Sequence, residues 1–149
     1  MKNLEASFSI FSMKGVLPFL LRGVAFTVVI SAVAVLVGVV FGYLLAIARN
    51  YCTKKDNRIL GILATLYIEL FRNTPLLLWI FICLVFLPIP GFLKRKMLGL
   101  SSVEAGLLFK GAFALILFES SVIAEIVRGG LNAIPAGQFE AAKSQGFSS

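Results

Sequence analysis

Residues 23–48, GVAFTVVISAVAVLVGVVFGYLLAIA, contain no charged side chain, and Arg22 and Arg49 close the stretch at its two ends. At ~1.5 Å per residue, a helix of this length exceeds the ~30 Å hydrocarbon core of a bilayer. In lipid, every backbone N–H and C=O must be satisfied within the segment itself, so the stretch reads as a transmembrane α-helix. Ala34, Gly38, Gly42 and Ala46 recur every four residues and form a small-residue stripe on one face. Gly38-Val39-Val40-Phe41-Gly42 matches the GxxxG pattern, which lets a second helix backbone come close. The stripe is read as a helix-packing surface within a larger assembly. A chance stripe is the plainer alternative, because glycine and alanine are common in spans.

The rest of the chain agrees with a membrane reading. Of its 149 residues, 59% are hydrophobic and only 14% charged, and histidine is absent. That is far more apolar than an ordinary soluble domain. The length fits one domain. The net charge of +7 fits membrane-flanking loops better than a nucleic-acid surface, since no basic stripe is interleaved with exposed aromatics. Nucleic acid is not expected as a partner. Cys52 lies in a polar loop and Cys83 in an apolar run, so no structural disulfide is expected. Without histidine and with two thiols, a metal site is not expected either, and no cofactor is. No GxxxxGK[ST] loop is present, so any ATP-driven process needs its ATPase from another subunit.

Residues 1–22 form an N-terminal segment in which Leu4 to Met13 suit an interfacial helix and Pro18 suggests a break. No apolar run followed by a small-residue cleavage site appears, so no signal peptide is read. A second span is expected over about 59–87. It is interrupted at Asn73-Thr74-Pro75, where Thr74 suits an N-cap and Pro75 the first position of a fresh helix. Glu69 and Arg72 are placed to pair at i, i+3. The third span is expected over about 103–127, closed by Gly129-Gly130 and Pro135, with Glu125 and Arg128 as an ion pair. After it, Gly137 to Gly146 reads as a short polar helix. Ala141 and Ala142 supply helix propensity with little bulk, and Gly146 breaks or bends it.

Two strings in this order carry a resemblance. Tyr67-Ile68-Glu69-Leu70-Phe71-Arg72-Asn73-Thr74-Pro75-Leu76-Leu77 resembles the E-[LF]-F-R-x-T-P-L-L stretch of permease subunits of binding-protein-dependent ABC importers, in their polar amino acid branch. Asn73 stands where many relatives have glycine. Ala124-Glu125-Ile126-Val127-Arg128-Gly129-Gly130-Leu131, with Pro135 and then Glu140-Ala141-Ala142, is similar to that branch's third span running into its EAA loop. Relatives often have an aromatic where Val122 sits, so any role of that aromatic is not carried over. The resemblance covers nearly everything from Leu21 onward.

It implies an all-α integral membrane bundle of the ABC importer permease type. The expected content is the first three of five spans plus the start of the coupling helix, in residues 23–149. It implies that Gly137, Glu140, Ala141, Ala142 and Gly146 form a coupling helix that docks on an ABC ATPase subunit. It further implies a second permease subunit, identical or homologous, an extracytoplasmic amino-acid-binding protein, and residence in a bacterial cell membrane as a multi-pass protein. The family's topology puts the EAA loop in the cytoplasm. Arg49, Lys54, Lys55, Arg58, Arg128 and Lys143 then lie inside, and Lys2, Lys14, Arg22, Lys94, Arg95 and Lys96 outside. The positive-inside rule sees no bias in that division, so the orientation rests on the resemblance.

A charged side chain within a span points to a cavity or a partner. Glu119 is such a residue. A free amino acid presents an ammonium, which Glu119 can meet with Ser120 and Ser121 beside it. It also presents a carboxylate, which suits a helix N-terminus such as the one Thr74 and Pro75 would create. The plain alternative is a structural carboxylate paired with a basic residue of another helix. For the whole chain, the rival to a permease is a small membrane anchor or assembly protein that transports nothing. A membrane enzyme is disfavoured by the lack of histidine, of a metal-ligand cluster and of a nucleophile–base pair.

Overall fold

The computed structural model describes residues 15–51, 58–94 and 100–147. The interfacial helix expected over Leu4–Met13, as well as Cys52, Lys54, Lys55, Arg95 and Lys96, lie outside the described residues. Within them the regular structure is helical and no strand occurs. Five α-helices follow in order: α1 Val16–Tyr51, α2 Arg58–Arg72, α3 Leu76–Phe86, α4 Ser102–Asn132 and α5 Ala136–Ser144. A 3-10 turn over Gly91–Lys94 lies between α3 and α4.

α1 begins earlier than its charge-free stretch and carries Arg22 inside it. Pro18 was expected to mark a break, but it sits in the first turn of α1. There its missing N–H removes no intrahelical hydrogen bond, so the ring is tolerated. Side chains all around α1 are apolar, and Val24, Val28, Leu36 and Val40 are exposed. A helix apolar on every side belongs in lipid or deep in a larger bundle. α1 and α4 are each long and apolar enough to cross a membrane, and the bent pair α2–α3 makes a third crossing if counted as one span.

The small-residue stripe faces α4. Ala34, Gly38, Gly42 and Ala46 are all buried, and α1–α4 is the most extensive helix contact. A Cβ built on Gly42 would lie 2.8 Å from the Ser120 carbonyl oxygen and from Cβ of Ile123. A Cβ on Gly38 would lie 3.2 Å from Cβ of Glu119. Only glycine permits this approach of the two backbones at Gly42. Ala46, Ile68 and Ala124 then form a small buried core between α1, α2 and α4, flanked by Leu45, Tyr67 and Val127.

α4 starts on a capping box. Ser101 Oγ accepts from the Glu104 N–H at 3.2 Å, and the Glu104 carboxylate accepts from the Ser101 N–H at 2.8 Å. Two of the free N–H groups at the helix start are thereby satisfied. The helix runs through Gly129-Gly130 to Asn132, capped by Ala133, so the glycines lie in its last turns and do not end it. α2 and α3 meet at a 103° bend. The inside of this elbow is lined by stacked aromatics. Phe71 and Trp79 lie 4.1 Å apart between ring centroids at 26°, and Tyr67 and Phe71 lie 4.6 Å apart. Proline at position 75 removes the N–H that would continue α2, and the Phe71–Trp79 stack holds the two arms together.

Candidate functional site

Three groups of predicted residues occupy three places: the elbow, the middle of α4, and the short helix after it. At the elbow, Thr74 does not cap α3 as expected. Its hydroxyl donates to the Leu70 carbonyl at 2.7 Å, so it closes the end of α2. A threonine hydroxyl bonds the carbonyl four residues back as readily as it caps the next helix. Pro75 takes the N-cap position of α3, and no side chain caps that helix. The first turn of α3 therefore carries no side-chain acceptor.

In the middle of α4, Ser120 and Ser121 are buried. Their hydroxyls donate back to the Leu117 and Phe118 carbonyls at 2.8 and 2.6 Å. The Tyr67 hydroxyl, from α2, lies 2.9 Å from both Ser120 Oγ and the Leu117 carbonyl oxygen. This polar bridge between α2 and α4 borders a cavity of about 390 Å³ lined also by Phe41 and Phe113. Glu119 is half-buried, and within the described residues it makes no hydrogen bond or ion pair. Nor does a hydrogen bond join it to the elbow.

Near the ends of α1 and α2 a charge cluster gathers that sequence reasoning saw only in pieces. Arg49 donates to Glu125 at 2.8 Å and to Glu69 at 3.3 Å. Glu125 also accepts from Arg128, through Nε at 2.9 Å and through Nη2, and Arg72 lies 3.6 Å from it. The Glu125–Arg128 pair is thus present. Glu69 and Arg72 do not pair with each other: Glu69 turns to Arg49 on α1 and Arg72 to Glu125 on α4. Elsewhere on α4, Lys110 donates to the Leu84 carbonyl at 2.7 Å. Leu84 is in the last turn of α3, whose carbonyls lack intrahelical partners, so the ammonium meets the negative end of that helix.

The polar stretch after α4 folds as α5, a helix of 9 residues starting after Pro135. Its end has the Schellman geometry. Phe147 N–H donates to the Ala142 carbonyl at 3.1 Å, Gly146 N–H donates to the Lys143 carbonyl at 3.0 Å, and Gly146 sits at φ +86°. That left-handed conformation costs glycine nothing and a side-chain-bearing residue ~1–2 kcal/mol. Gly137, Glu140 and Ala141 are exposed and Ala142 is half-buried. α5 shares no extensive contact with any other helix. Phe139 on α5 and Phe147 just past its end are exposed as well. These two were not singled out from the sequence, although an exposed aromatic on a polar helix is a recognisable contact signal.

Among the described residues no group of three or more His, Cys, Asp or Glu side chains is gathered as metal ligands. The arrangement offers helix ends, a charge cluster and a polar helix without extensive contact to another helix.

Comparisons with known proteins agree with this layout. Residues 38–149 match the family described as "Binding-protein-dependent transport system inner membrane component". The chain is 35% identical over 126 residues to a putative glutamine transport system permease protein GlnP of Rickettsia conorii, covering 85% of this chain and 51% of that one. It is 34% identical over 134 residues to the glutamate/aspartate import permease protein GltK of Escherichia coli, covering 88% and 55%. An inner membrane amino-acid ABC transporter permease protein of Escherichia coli, YhdY, is 35% identical over 122 residues, covering 82% and 30%. The chain thus spans about half the length of the first of these relatives. Among solved structures, one titled "Crystal structure of an amino acid ABC transporter with histidines" superposes with a TM-score of 0.68. It shares 27% identity and is matched over 93% of this chain and 57% of that one. The match runs from Gly38 in α1 through the elbow and α4 to α5, three quarters of the sequence, and this chain belongs to that family: the binding-protein-dependent transport system inner membrane components.

Proposed function

We propose that this chain is part of the permease of an ATP-driven importer of polar amino acids in a bacterial cell membrane. The observation that carries the reading is α5. It follows a membrane-crossing helix, presents Glu140 and Ala141 to solvent, ends on its own hydrogen bonds and packs extensively on no other helix. A helix built this way is a docking element. Its proposed seat is an ABC ATPase subunit, which supplies the hydrolysis that this chain does not perform. A second permease subunit completes the path, and an extracytoplasmic binding protein delivers the amino acid. The relatives named as glutamine and glutamate/aspartate permeases support the polar amino acid class.

Within the path, Glu119 is proposed to meet the substrate's ammonium. Its support is a half-buried carboxylate without a partner among the described residues. The substrate's carboxylate is proposed to lie against the uncapped first turn of α3, beside Thr74 and Pro75, where N–H groups and the helix dipole favour an anion. Ser120 and Ser121 lie beside Glu119, and Ser120 also meets the Tyr67 hydroxyl of α2.

Two experiments test the reading. Reconstitution of the full-length permease with its ATPase and binding protein should give amino-acid uptake that depends on ATP; a preparation that hydrolyses no ATP and moves no amino acid would count against it. Glu119→Gln in that preparation should weaken apparent substrate affinity by ~10- to ~100-fold, the range for a charge-assisted hydrogen bond worth ~1.5–3 kcal/mol. Unchanged affinity and transport would remove Glu119 from the path.

A further inference from the structure

The charge cluster around Arg49 has a feature that neutralisation alone does not require. Glu125 already has Arg128 on its own helix and Arg72 at 3.6 Å. Arg49 adds a third cation to that carboxylate, and its other guanidinium nitrogen reaches Glu69 on α2. A guanidinium is a rigid planar fork, so two carboxylates held on its two tines are fixed relative to each other. Arg49 therefore ties α4 to α2 from a third helix, α1. The two tied points are placed for transmission. Glu125 is about two turns before the end of α4, which leads into α5. Glu69 is one turn before the elbow, and its carbonyl accepts from the Asn73 N–H at 3.0 Å.

We propose that Arg49 is a positioning residue for coupling. It carries displacement of α4, driven through α5, across to the end of α2 and so to the Thr74–Pro75 elbow. This rests on the transport reading above. The Arg49–Glu69 arm is the informative one. Glu69 is 56% exposed, and an exposed ion pair adds little to stability. Its loss therefore reads on motion, not on folding.

The test uses the complete transporter in lipid, with full-length permease, ATPase subunits and binding protein. ATP hydrolysis is measured with and without substrate-loaded binding protein, alongside uptake into proteoliposomes. Glu69→Gln is expected to leave basal hydrolysis within about twofold and to lower substrate moved per ATP at least fivefold. Arg49→Lys is expected to do the same, because a single ammonium holds one carboxylate firmly where the fork holds two. A wild-type ratio in Glu69→Gln overturns the proposal and leaves Arg49 as a structural clamp. Should Glu69→Gln fail to assemble, the ratio in Arg49→Lys decides by the same criterion. If the wild-type preparation itself shows no ATP-dependent uptake, the transport reading fails, and that failure is distinct from loss of the joint.

Discussion

Glu140→Arg in the full-length permease is expected to lower amino-acid uptake by ~30-fold or more, with a normal amount of permease in the membrane. Glu140 is exposed, and α5 has no extensive contact with another helix. Reversing its charge therefore disturbs little within the chain. Arginine also has good helix propensity, so α5 itself persists. The loss must then arise where α5 meets its partner. Misplacing a charge at a docked interface costs ~2–5 kcal/mol, and every ~1.4 kcal/mol is tenfold in affinity. The checking measurement is paired: uptake in membrane vesicles, and the amount of ATPase subunit that co-purifies with a tagged permease. Loss of both places the defect in docking. Loss of uptake with the ATPase retained places it in transmission of the stroke. Wild-type uptake with the ATPase bound would remove the docking role from Glu140.

The second large effect is expected at Gly42. Gly42→Leu should prevent stable assembly of α1 on α4, seen as loss of the folded permease in mild detergent. Even a methyl group there would sit 2.8 Å from the Ser120 carbonyl oxygen and from two carbons of Ile123. The oxygen belongs to helix backbone and one of the Ile123 carbons is its branched Cβ, so neither swings aside. Overpacking of this kind costs ~1–3 kcal/mol for small additions and more for large ones. Gly42→Ala should therefore lower the melting temperature measurably, and Gly42→Leu should abolish the transition. Gly111→Ala is the internal control. It lies on α4, and nothing comes within 4 Å of a Cβ there. It should be neutral or slightly stabilising, since alanine is favoured over glycine in a helix by ~1 kcal/mol. Equal behaviour of Gly42→Ala and Gly111→Ala would show that the close approach does not matter.

Much of this architecture was legible because lipid leaves few options. A charge-free run of the length of α1 must satisfy its backbone as a helix. A stripe of small side chains every four residues could arise by chance, and its burial against α4 shows it to be a packing surface. The family string over Tyr67–Leu77 located the elbow, and Glu140-Ala141-Ala142 with Gly146 located the free helix. What stayed hidden depends on how helices rotate against one another. Tyr67 and Ser120 are 53 positions apart, and Arg49 and Glu125 are 76 apart. Nothing local in either segment announces those partners. Thr74 misled because its hydroxyl serves two geometries and the bend chose between them. The Ser101–Glu104 capping box, by contrast, carries its signal locally, as a serine three residues before a glutamate ahead of an apolar run.

The two ends of α3 are fastened in different ways. Its C-terminal turn is gripped by the Lys110 ammonium at the Leu84 carbonyl, a contact with a fixed point. Its elbow end is held by the Phe71–Trp79 stack, two flat aromatic faces whose contact adds about 1 kcal/mol beyond the area they bury. With 11 residues at ~1.5 Å each, α3 sets these two fastenings ~16 Å apart, one made by charge and the other by shape.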